Sequence, residues 1–217
     1  MTLSIKEAPL FSGLREDELR AIADKASIRT FGKHATVIHE GETTGSLYVI
    51  LSGKVKVFLG DASGKELILD IKGAGEYFGE MALDNQPRSA TIVTMEPSRF
   101  AVLSKSEFEH LLHDHPEISM RVIKDLIHVV RGVNKNVWSL AMLGVYGRVS
   151  KLLIELAVDQ EEGKPVIADK PTNQSIAYQV GSSREMVSRI FKGLKFGGYI
   201  KVEGRKLTIN KGLPARL

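Results

Sequence analysis

The segment Gly75–Thr91 carries side chains that can bind an anionic ligand. Glu80 supplies a carboxylate, Arg88 a guanidinium and Ser89 a hydroxyl, along a stretch that reads as a short turn or helix leading into a strand. Such a segment can direct backbone N–H groups, the Arg88 side chain and the Ser89 hydroxyl at one phosphate, while Glu80 accepts a hydrogen bond from a sugar hydroxyl. The residues alone are equally consistent with a structural ion pair between Arg88 and Glu80.

A second group of polar side chains, near the C-terminus, has the chemistry that reads DNA. One face of a predicted helix carries Arg184, Glu185, Ser188, Arg189 and Lys192, at i, i+1, i+4, i+5 and i+8. Arginine pairs with guanine O6 and N7 and glutamate accepts from cytosine N4, so Arg184, Glu185 and Arg189 are predicted to contact bases. Predicted phosphate contacts, which position the protein without specifying sequence, are Ser183, Lys192, Arg205 and Lys206. An alternative for Glu185 is that it only closes a capping box that starts at Ser182.

The elements around this group predict a winged helix-turn-helix. Two short helices are indicated, one around Ile176, Ala177 and Val180 and the next around Val187–Leu194, with Gly181 between them. Ala177 is small where two helices cross, and glycine tolerates the positive φ of a tight inter-helix turn. A hairpin follows, with Glu203-Gly-Arg205 at its turn.

Charge is divided unevenly along the chain. From Pro171 to the end there are nine Lys and Arg against two acids, a net +7, whereas the first 170 residues carry a net −3. A basic C-terminal domain on a mildly acidic body favours nucleic acid as the partner at that end, although a solvated basic surface would give the same count.

The first half of the sequence predicts an all-β roll. Short β-type runs alternate with glycines at the spacing of an antiparallel sandwich or barrel. The predicted strands are Ala35–His39, Ser46–Leu51, Lys54–Leu59, Glu66–Ile71, Ala90–Thr94 and Arg99–Leu103. A short helix, Arg15–Lys25, is predicted before them, with Ser12 as its predicted cap.

A long helix beginning at Pro116 follows the roll. Its apolar residues recur at alternating steps of three and four: Ile123, Leu126, Val130, Val133, Val137 and Leu140. This narrow heptad seam predicts pairing with a second copy of the chain, and packing on the β-roll is the alternative. Gly132 inside the helix suggests a close approach of backbone or ligand. Gly144 and Gly147 indicate a hinge before another helix, Arg148–Val158.

Several classes of protein are excluded or disfavoured. With no cysteine, the chain forms no disulfide, thiolate zinc site, iron–sulfur cluster or cysteine nucleophile. We expect no catalytic residues, because no nucleophile elbow, phosphate loop or zinc-protease motif is present. His110, His113 and His115 are interpreted as solvated residues at a helix end, so no metal is expected. No apolar run reaches the roughly 18 to 20 residues of a membrane span, and we expect a cytoplasmic protein with no membrane partner.

Three segments resemble the catabolite activator/FNR (CRP/FNR) superfamily of bacterial transcription regulators. They are Gly41–Val55, the phosphate-binding cassette Phe78–Thr91, and Ser183–Arg189, in the family's order. The resemblance implies an α+β chain: a cyclic-nucleotide-binding β-roll (double-stranded β-helix) at residues 1–116, a dimerisation helix at 117–143 and a winged helix-turn-helix at 144–217. It implies a homodimer that reads a palindromic TGTGA-like DNA site, with RNA polymerase as a further partner.

The resemblance also implies which residues hold the ligand. In the cassette these are Gly79, Glu80, Met81, Ala82, Arg88 and Ser89. Gly79 and Glu80 would hold the ribose, and Arg88 and Ser89 the cyclic phosphate. In cAMP-responsive members a Thr-Ser pair on the dimer helix contacts adenine, and the aligned residues here are Val133 and Asn134. cAMP is therefore the expected effector, with cyclic di-GMP or ligand-free action as alternatives. A cyclic-nucleotide module acting on a protein partner is the alternative of another class.

Overall fold

A computed structural model describes residues 4–62, 64–159 and 164–213 of the chain. The chain forms two compact units, Met1–Val129 and Val130–Leu217. Within the described residues, no helix is long and apolar enough to cross a membrane.

A short helix precedes the strands of the first unit, and helices and short strands follow them. The helices are α1 Glu16–Lys25, α2 Lys105–Asp114, α3 Pro116–Met142, α4 Val145–Leu156, α5 Asn173–Val180 and α6 Arg184–Phe196, with 3-10 helices at Ile5–Glu7, Pro9–Phe11 and Glu80–Asp84. The strands are β1 Ser27–Phe31, β2 Thr36–Ile38, β3 Ser46–Ser52, β4 Lys54–Gly60, β5 Glu66–Gly73, β6 Tyr77–Phe78, β7 Thr91–Thr94, β8 Ser98–Ser104, β9 Val158–Asp159, β10 Pro165–Ile167, β11 Ile200–Glu203 and β12 Lys206–Ile209.

Two antiparallel four-stranded sheets form the β-roll of the first unit. Their strand orders are β1-β8-β3-β6 and β2-β7-β4-β5. Strand β3 is buried on both faces: Leu47 and Val49 pack among the helices, whereas Tyr48 and Ile50 pack between the sheets. This alternation follows from the period of two in a strand, and it makes β3 the central strand of a helix–sheet–sheet arrangement.

An aromatic cluster fills the space between the two sheets beside the cassette. Phe78 stacks on Tyr48 with ring centroids 5.0 Å apart, and both rings meet Phe100 edge-on. Phe78 is 2% exposed. The next residue, Gly79, is therefore anchored to the core by its neighbour.

The helices of the first unit cover the outer face of the β3 sheet. The predicted cap at Ser12 is wrong: α1 begins after Arg15, whose backbone N–H donates to the Glu18 carboxylate at 2.8 Å. Helix α3 begins at Pro116 as predicted, and Ile118 and Val122 of its first turns are buried in the helix-side core.

The rest of α3 exposes apolar side chains. The predicted seam residues are 38% to 58% exposed in the single chain: Ile123, Leu126, Val130, Val133, Val137 and Leu140. Ile123 and Leu126, the two seam residues of the first unit, are therefore not buried against the β-roll, which was the alternative for this seam. Among the described residues, an added Cβ at Gly132 would meet nothing within 4 Å, so no other backbone of this chain approaches it, and the approach of a ligand stays a prediction.

The second unit places three helices against a small sheet. Strands β11 and β12 form the predicted hairpin, and the sheet order is β11-β12-β10-β9. Val149 and Leu153 of α4 pack with α5 and α6 in one core. The predicted helix Arg148–Val158 was wrong at both ends: α4 begins after Gly144 and gives way to β9 at Val158.

Within the part of the chain that the structure describes, four strands were not predicted from the sequence. These are β1, β6, β9 and β10. Strand β1 is an exposed edge whose residues lack an alternating apolar pattern, and β6 and β9 are only two residues long. Such strands are defined by their pairing partners and not by their own residues.

Candidate functional site

A tight turn at Gly79 brings the cassette backbone against strand β3. Gly79 has φ +92°, and a Cβ there would lie 2.5 Å from the Ser46 carbonyl oxygen. Only glycine accepts this combination of positive φ and close approach. The 3-10 helix Glu80–Asp84 begins directly after it, and the first N–H groups of such a helix have no acceptor inside it.

Arg88 is buried beneath this turn and holds it to β3. Its guanidinium donates to the carbonyl oxygens of Gly79 and Ser46, both at 2.9 Å, and its Nε lies 3.4 Å from the Thr44 hydroxyl. The residue is 6% exposed. The backbone bonds show that Arg88 positions the cassette, and two of its five N–H donors stay available to a ligand.

Arg88 and Glu80 do not form the ion pair that the sequence left as an alternative. Among the described residues, Arg88 has no carboxylate within 4 Å, although Glu80 is near enough to act on it electrostatically. Burial lowers the pKa of Arg88, and the negative charge of Glu80 partly offsets that effect. A guanidinium is so strongly basic that Arg88 remains charged at neutral pH all the same.

The cassette lines an open cleft in the β-roll. Its wall includes the predicted ligand residues Gly79, Glu80, Met81, Ala82, Arg88 and Ser89. Ser89 is exposed, and among the described residues its hydroxyl contacts only the Met81 sulfur, at 3.2 Å. Apolar side chains, among them Val57 and Ile92, complete the wall. The cleft thus joins a polar cassette to an apolar surface, as small-molecule sites commonly do.

One charged residue of this cleft, Lys72, was missed by sequence reasoning. It lies near the end of β5, beyond Ile71, where the predicted strand stopped. The signal available in the sequence was the pair Asp70 and Lys72, two charges at a spacing of two inside an otherwise apolar run. Val133 and Asn134 belong to the second unit, where both are exposed on α3, and their role in ligand binding remains a prediction.

The helix-turn-helix of the second unit has the predicted geometry. Gly181 follows α5 with φ +61°, in the left-handed region, and Ala177 is fully buried at the helix crossing. The Thr172 and Ser183 hydroxyls cap α5 and α6 by accepting the N–H groups of Ser175 and Met186. The start of each helix is therefore fixed by a hydroxyl cap from its own sequence.

Helix α6 exposes its polar face. The side chains of Arg184, Glu185, Ser188, Arg189 and Lys192 are all exposed. Ser183, not Ser182, caps the helix, so Glu185 is one residue too early to close a capping box and that alternative is wrong. Ser188 accepts a hydrogen bond from Asn173 at 3.0 Å, which ties α6 to the start of α5.

The β11–β12 hairpin, which is the wing of the winged helix, carries two of the predicted phosphate-binding residues, Arg205 and Lys206. Arg205 is ion-paired with Asp169, and both side chains are more than 60% exposed. Lys206 begins β12 and is exposed. Exposed ion pairs of this kind are weak, so Arg205 can exchange its partner for a phosphate. Their contacts with DNA, like those of α6, stay predictions.

The three histidines of α2 and its end do not line the cleft of the first unit. His110 Nδ1 is 2.7 Å from the Ser106 carbonyl oxygen, and His113 and His115 lie near Asp114 and Glu117. Within the described residues, no three His, Asp or Glu side chains are grouped as metal ligands.

Comparisons with known proteins match both halves of the chain. Residues 28–115 match the cyclic nucleotide-binding domain family, and residues 147–211 match the Crp-like helix-turn-helix domain family. The chain is 31% identical to the CRP-like cAMP-activated global transcriptional regulator of Mycobacterium tuberculosis, over 95% of this chain and 94% of that protein.

Two further relatives extend the comparison. The cAMP-activated global transcriptional regulator CRP of Haemophilus influenzae is 35% identical over 81% of this chain and 80% of its own length. Among solved structures, the cyclic di-GMP-responsive global regulator CLP of Xanthomonas campestris has the same fold, with a TM-score of 0.78. That match has 23% identity and covers 91% of this chain and 100% of that one.

Proposed function

The chain belongs to the CRP/FNR superfamily of bacterial transcription regulators, and we propose that it is a homodimer that binds a palindromic TGTGA-like DNA site under the control of cAMP. The family assignment makes it a CRP-like regulator with a cyclic nucleotide-binding domain and a DNA-binding domain. The effector, the DNA sequence and the dimer are the proposed parts. The observation that carries the proposal is the cleft containing Glu80, Arg88 and Ser89 on a chain that also carries an exposed basic α6.

The cassette supports a cyclic nucleotide as the ligand. Arg88 is fixed by two backbone carbonyls and keeps two N–H donors, and the exposed Ser89 hydroxyl has only a weak sulfur contact. Together these groups can bind one phosphate, while Glu80 can accept from the ribose hydroxyl. The relatives from Mycobacterium and Haemophilus are cAMP-activated, which makes cAMP the first candidate.

Cyclic di-GMP is the second candidate effector. Val133 has no hydrogen-bonding side chain at one of the two positions that would contact adenine, and the regulator from Xanthomonas responds to cyclic di-GMP. Titration calorimetry of the full chain with each nucleotide separates the candidates. We expect the chain to bind cAMP. If it binds cyclic di-GMP and not cAMP, cyclic di-GMP is the effector. If neither binds, the DNA-binding function stands without a ligand.

The exposed seam of α3 supports the homodimer. Six apolar side chains with alternating three- and four-residue spacing are exposed along one helix, and Met120, Ile127 and Trp138 add to the apolar surface. A self-complementary helix of this kind is buried most simply against a second copy related by a two-fold axis. Two copies of α6 would then meet successive major grooves about 34 Å apart, which is why a palindromic site is proposed.

DNA is favoured over a protein as the target of the second unit. The exposed face of α6 carries Arg184, Arg189 and Lys192, and the segment from Pro171 to the end has a net charge of +7. Binding that releases counterions from phosphates weakens steeply with added salt, whereas a protein interface need not. RNA polymerase is proposed as a further partner because the chain belongs to this family.

A further inference from the structure

Lys72 places a second cation in the wall of the cleft. It lies on β5 of one sheet, whereas Gly79 and Glu80 follow β6 of the other, and both segments line the same cleft. None of the residues assigned to the ligand from the sequence comes from β5.

The register of β4 and β5 turns this lysine inward. Lys72 pairs with Val55 and Asp70 pairs with Val57, and both valines belong to the core between the sheets. Residues directly opposite each other in a ladder share a face, so Lys72 lies on the inner face of the sheet, where it lines the cleft, and Asp70 lies on the same face but is exposed. The register shifts between Val57 and Phe58 and leaves Leu69 without an opposite residue. A bulge of this kind redirects the side chains that follow it.

A cation on the inner face of a β-roll needs a counter-charge. The Lys72 side chain is 21% exposed, and its ammonium lies 3.4 Å from the Asp70 carboxylate. That distance exceeds the 2.7 to 2.9 Å of a short charge-assisted hydrogen bond, and an ammonium has three donors. Asp70 is 48% exposed and so compensates the charge only in part. Lys72 therefore keeps donors free for a group that enters the cleft.

Arg88 cannot supply all the donors that a phosphate accepts. Three of its N–H groups face Gly79, Ser46 and Thr44, which leaves two. We propose that Lys72 is a second phosphate-binding residue of the cleft, acting with Arg88 and Ser89 on the cyclic phosphate. This inference rests on the proposed function, because it assumes that a cyclic nucleotide enters the cleft.

The test is Lys72→Met, compared with Lys56→Met as a matched control. Lys56 is also a partly buried, ion-paired lysine of the same sheet, but it does not line the cleft. Titration calorimetry of the full chain with cAMP and with cGMP should show Kd about tenfold weaker in K72M, by the same factor for both nucleotides, because they share the cyclic phosphate. The Kd of K72M should also depend less on salt, and K72R should recover most of the affinity.

The outcomes separate this role from the proposed function. Wild-type binding with an unchanged Kd in K72M would overturn the role of Lys72 alone. A loss confined to one of the two nucleotides would also overturn it, because it would place Lys72 against the base. An equal loss in K56M would show a general effect of charge or folding and would overturn it as well. Failure of the wild-type chain to bind either nucleotide would overturn the proposed control by cAMP, and this inference with it.

Discussion

The Tyr77 hydroxyl donates a hydrogen bond to Asp125 Oδ2 at 2.9 Å, and so joins the strand before the cassette to helix α3. Tyr77 is two residues before Gly79, and Asp125 lies within the predicted dimer helix, between the seam residues Ile123 and Leu126. A rearrangement of the cassette on ligand binding would therefore act on α3 through this bond. The relationship could not be read from the sequence, because 48 residues separate the two side chains.

Removing this bond should weaken both stability and coupling. Tyr77→Phe should lower the free energy of unfolding by about 1 kcal/mol at pH 8, as expected for one hydrogen bond. It should leave cAMP affinity within about threefold while reducing the gain in DNA affinity that cAMP produces. Urea denaturation and DNA titrations with and without cAMP measure these quantities. An unchanged gain in DNA affinity would show that Tyr77 is only structural.

The same residue makes an alkaline pH prediction. Burial and the Asp125 carboxylate raise the pKa of Tyr77 well above its usual value near 10. The unfolded chain then loses this proton before the folded chain does, so stability falls as pH rises above about 10. The Tyr77→Phe variant lacks this loss, and its stability deficit should shrink between pH 9 and pH 10.5. A deficit that stays constant over this range would contradict the raised pKa.

Substitutions at Arg88 and Ser89 should separate structure from binding. Arg88→Leu removes two hydrogen bonds to backbone carbonyls and should cost roughly 1 to 3 kcal/mol of stability as well as the response to ligand. Ser89→Ala should weaken cAMP binding with little change in stability, because the hydroxyl contacts only a sulfur. Thermal melts and calorimetry report both effects. Normal ligand binding by Ser89→Ala would remove Ser89 from the phosphate site.

The DNA-reading face allows a contrast between base and phosphate contacts. Arg184→Ala should cost about 1 to 3 kcal/mol on the specific site and little on random DNA. Lys206→Ala on the wing should weaken binding to both and lower the salt dependence by about one counterion. Titrations of specific and scrambled duplexes over a range of salt concentrations distinguish the two. Equal losses of Arg184→Ala on both duplexes would contradict its base-reading role.

The exposed seam of α3 predicts the oligomeric state. Val130→Glu places a charge in the middle of the seam and should shift the protein from dimer to monomer at micromolar concentration. Lys135→Glu is the matched control, because position 135 lies on the opposite side of the helix from the seam. Sedimentation equilibrium measures both variants. A wild-type monomer, or a dimer that survives Val130→Glu, would contradict pairing through this seam.

Local patterns predicted the elements that carry function, while contacts distant in sequence had to be observed. Heptad spacing located α3, and Gly181 located the turn between α5 and α6, because each signal lies within one element. The backbone partner of Arg88 on β3, Ser46, lies 42 residues away, and no local pattern indicates it. Lys72 was missed for a similar reason, since its inward direction depends on a register shift between two strands. The helix cap is Ser183 and not the predicted Ser182, so Glu185 is the second helical residue and not the third. Helix boundaries read from sequence commonly differ by one residue from those of the structure.

The most direct test of control by cAMP is fluorescence anisotropy of a labelled duplex carrying a TGTGA palindrome. The full-length protein would be titrated at fixed salt with and without cAMP, and a duplex with scrambled half-sites would serve as the control. We predict that cAMP tightens binding to the palindrome at least tenfold and leaves the scrambled duplex nearly unchanged, because the ligand favours one arrangement of the DNA-binding domains. Binding to the palindrome that is the same with and without cAMP would contradict control by this nucleotide.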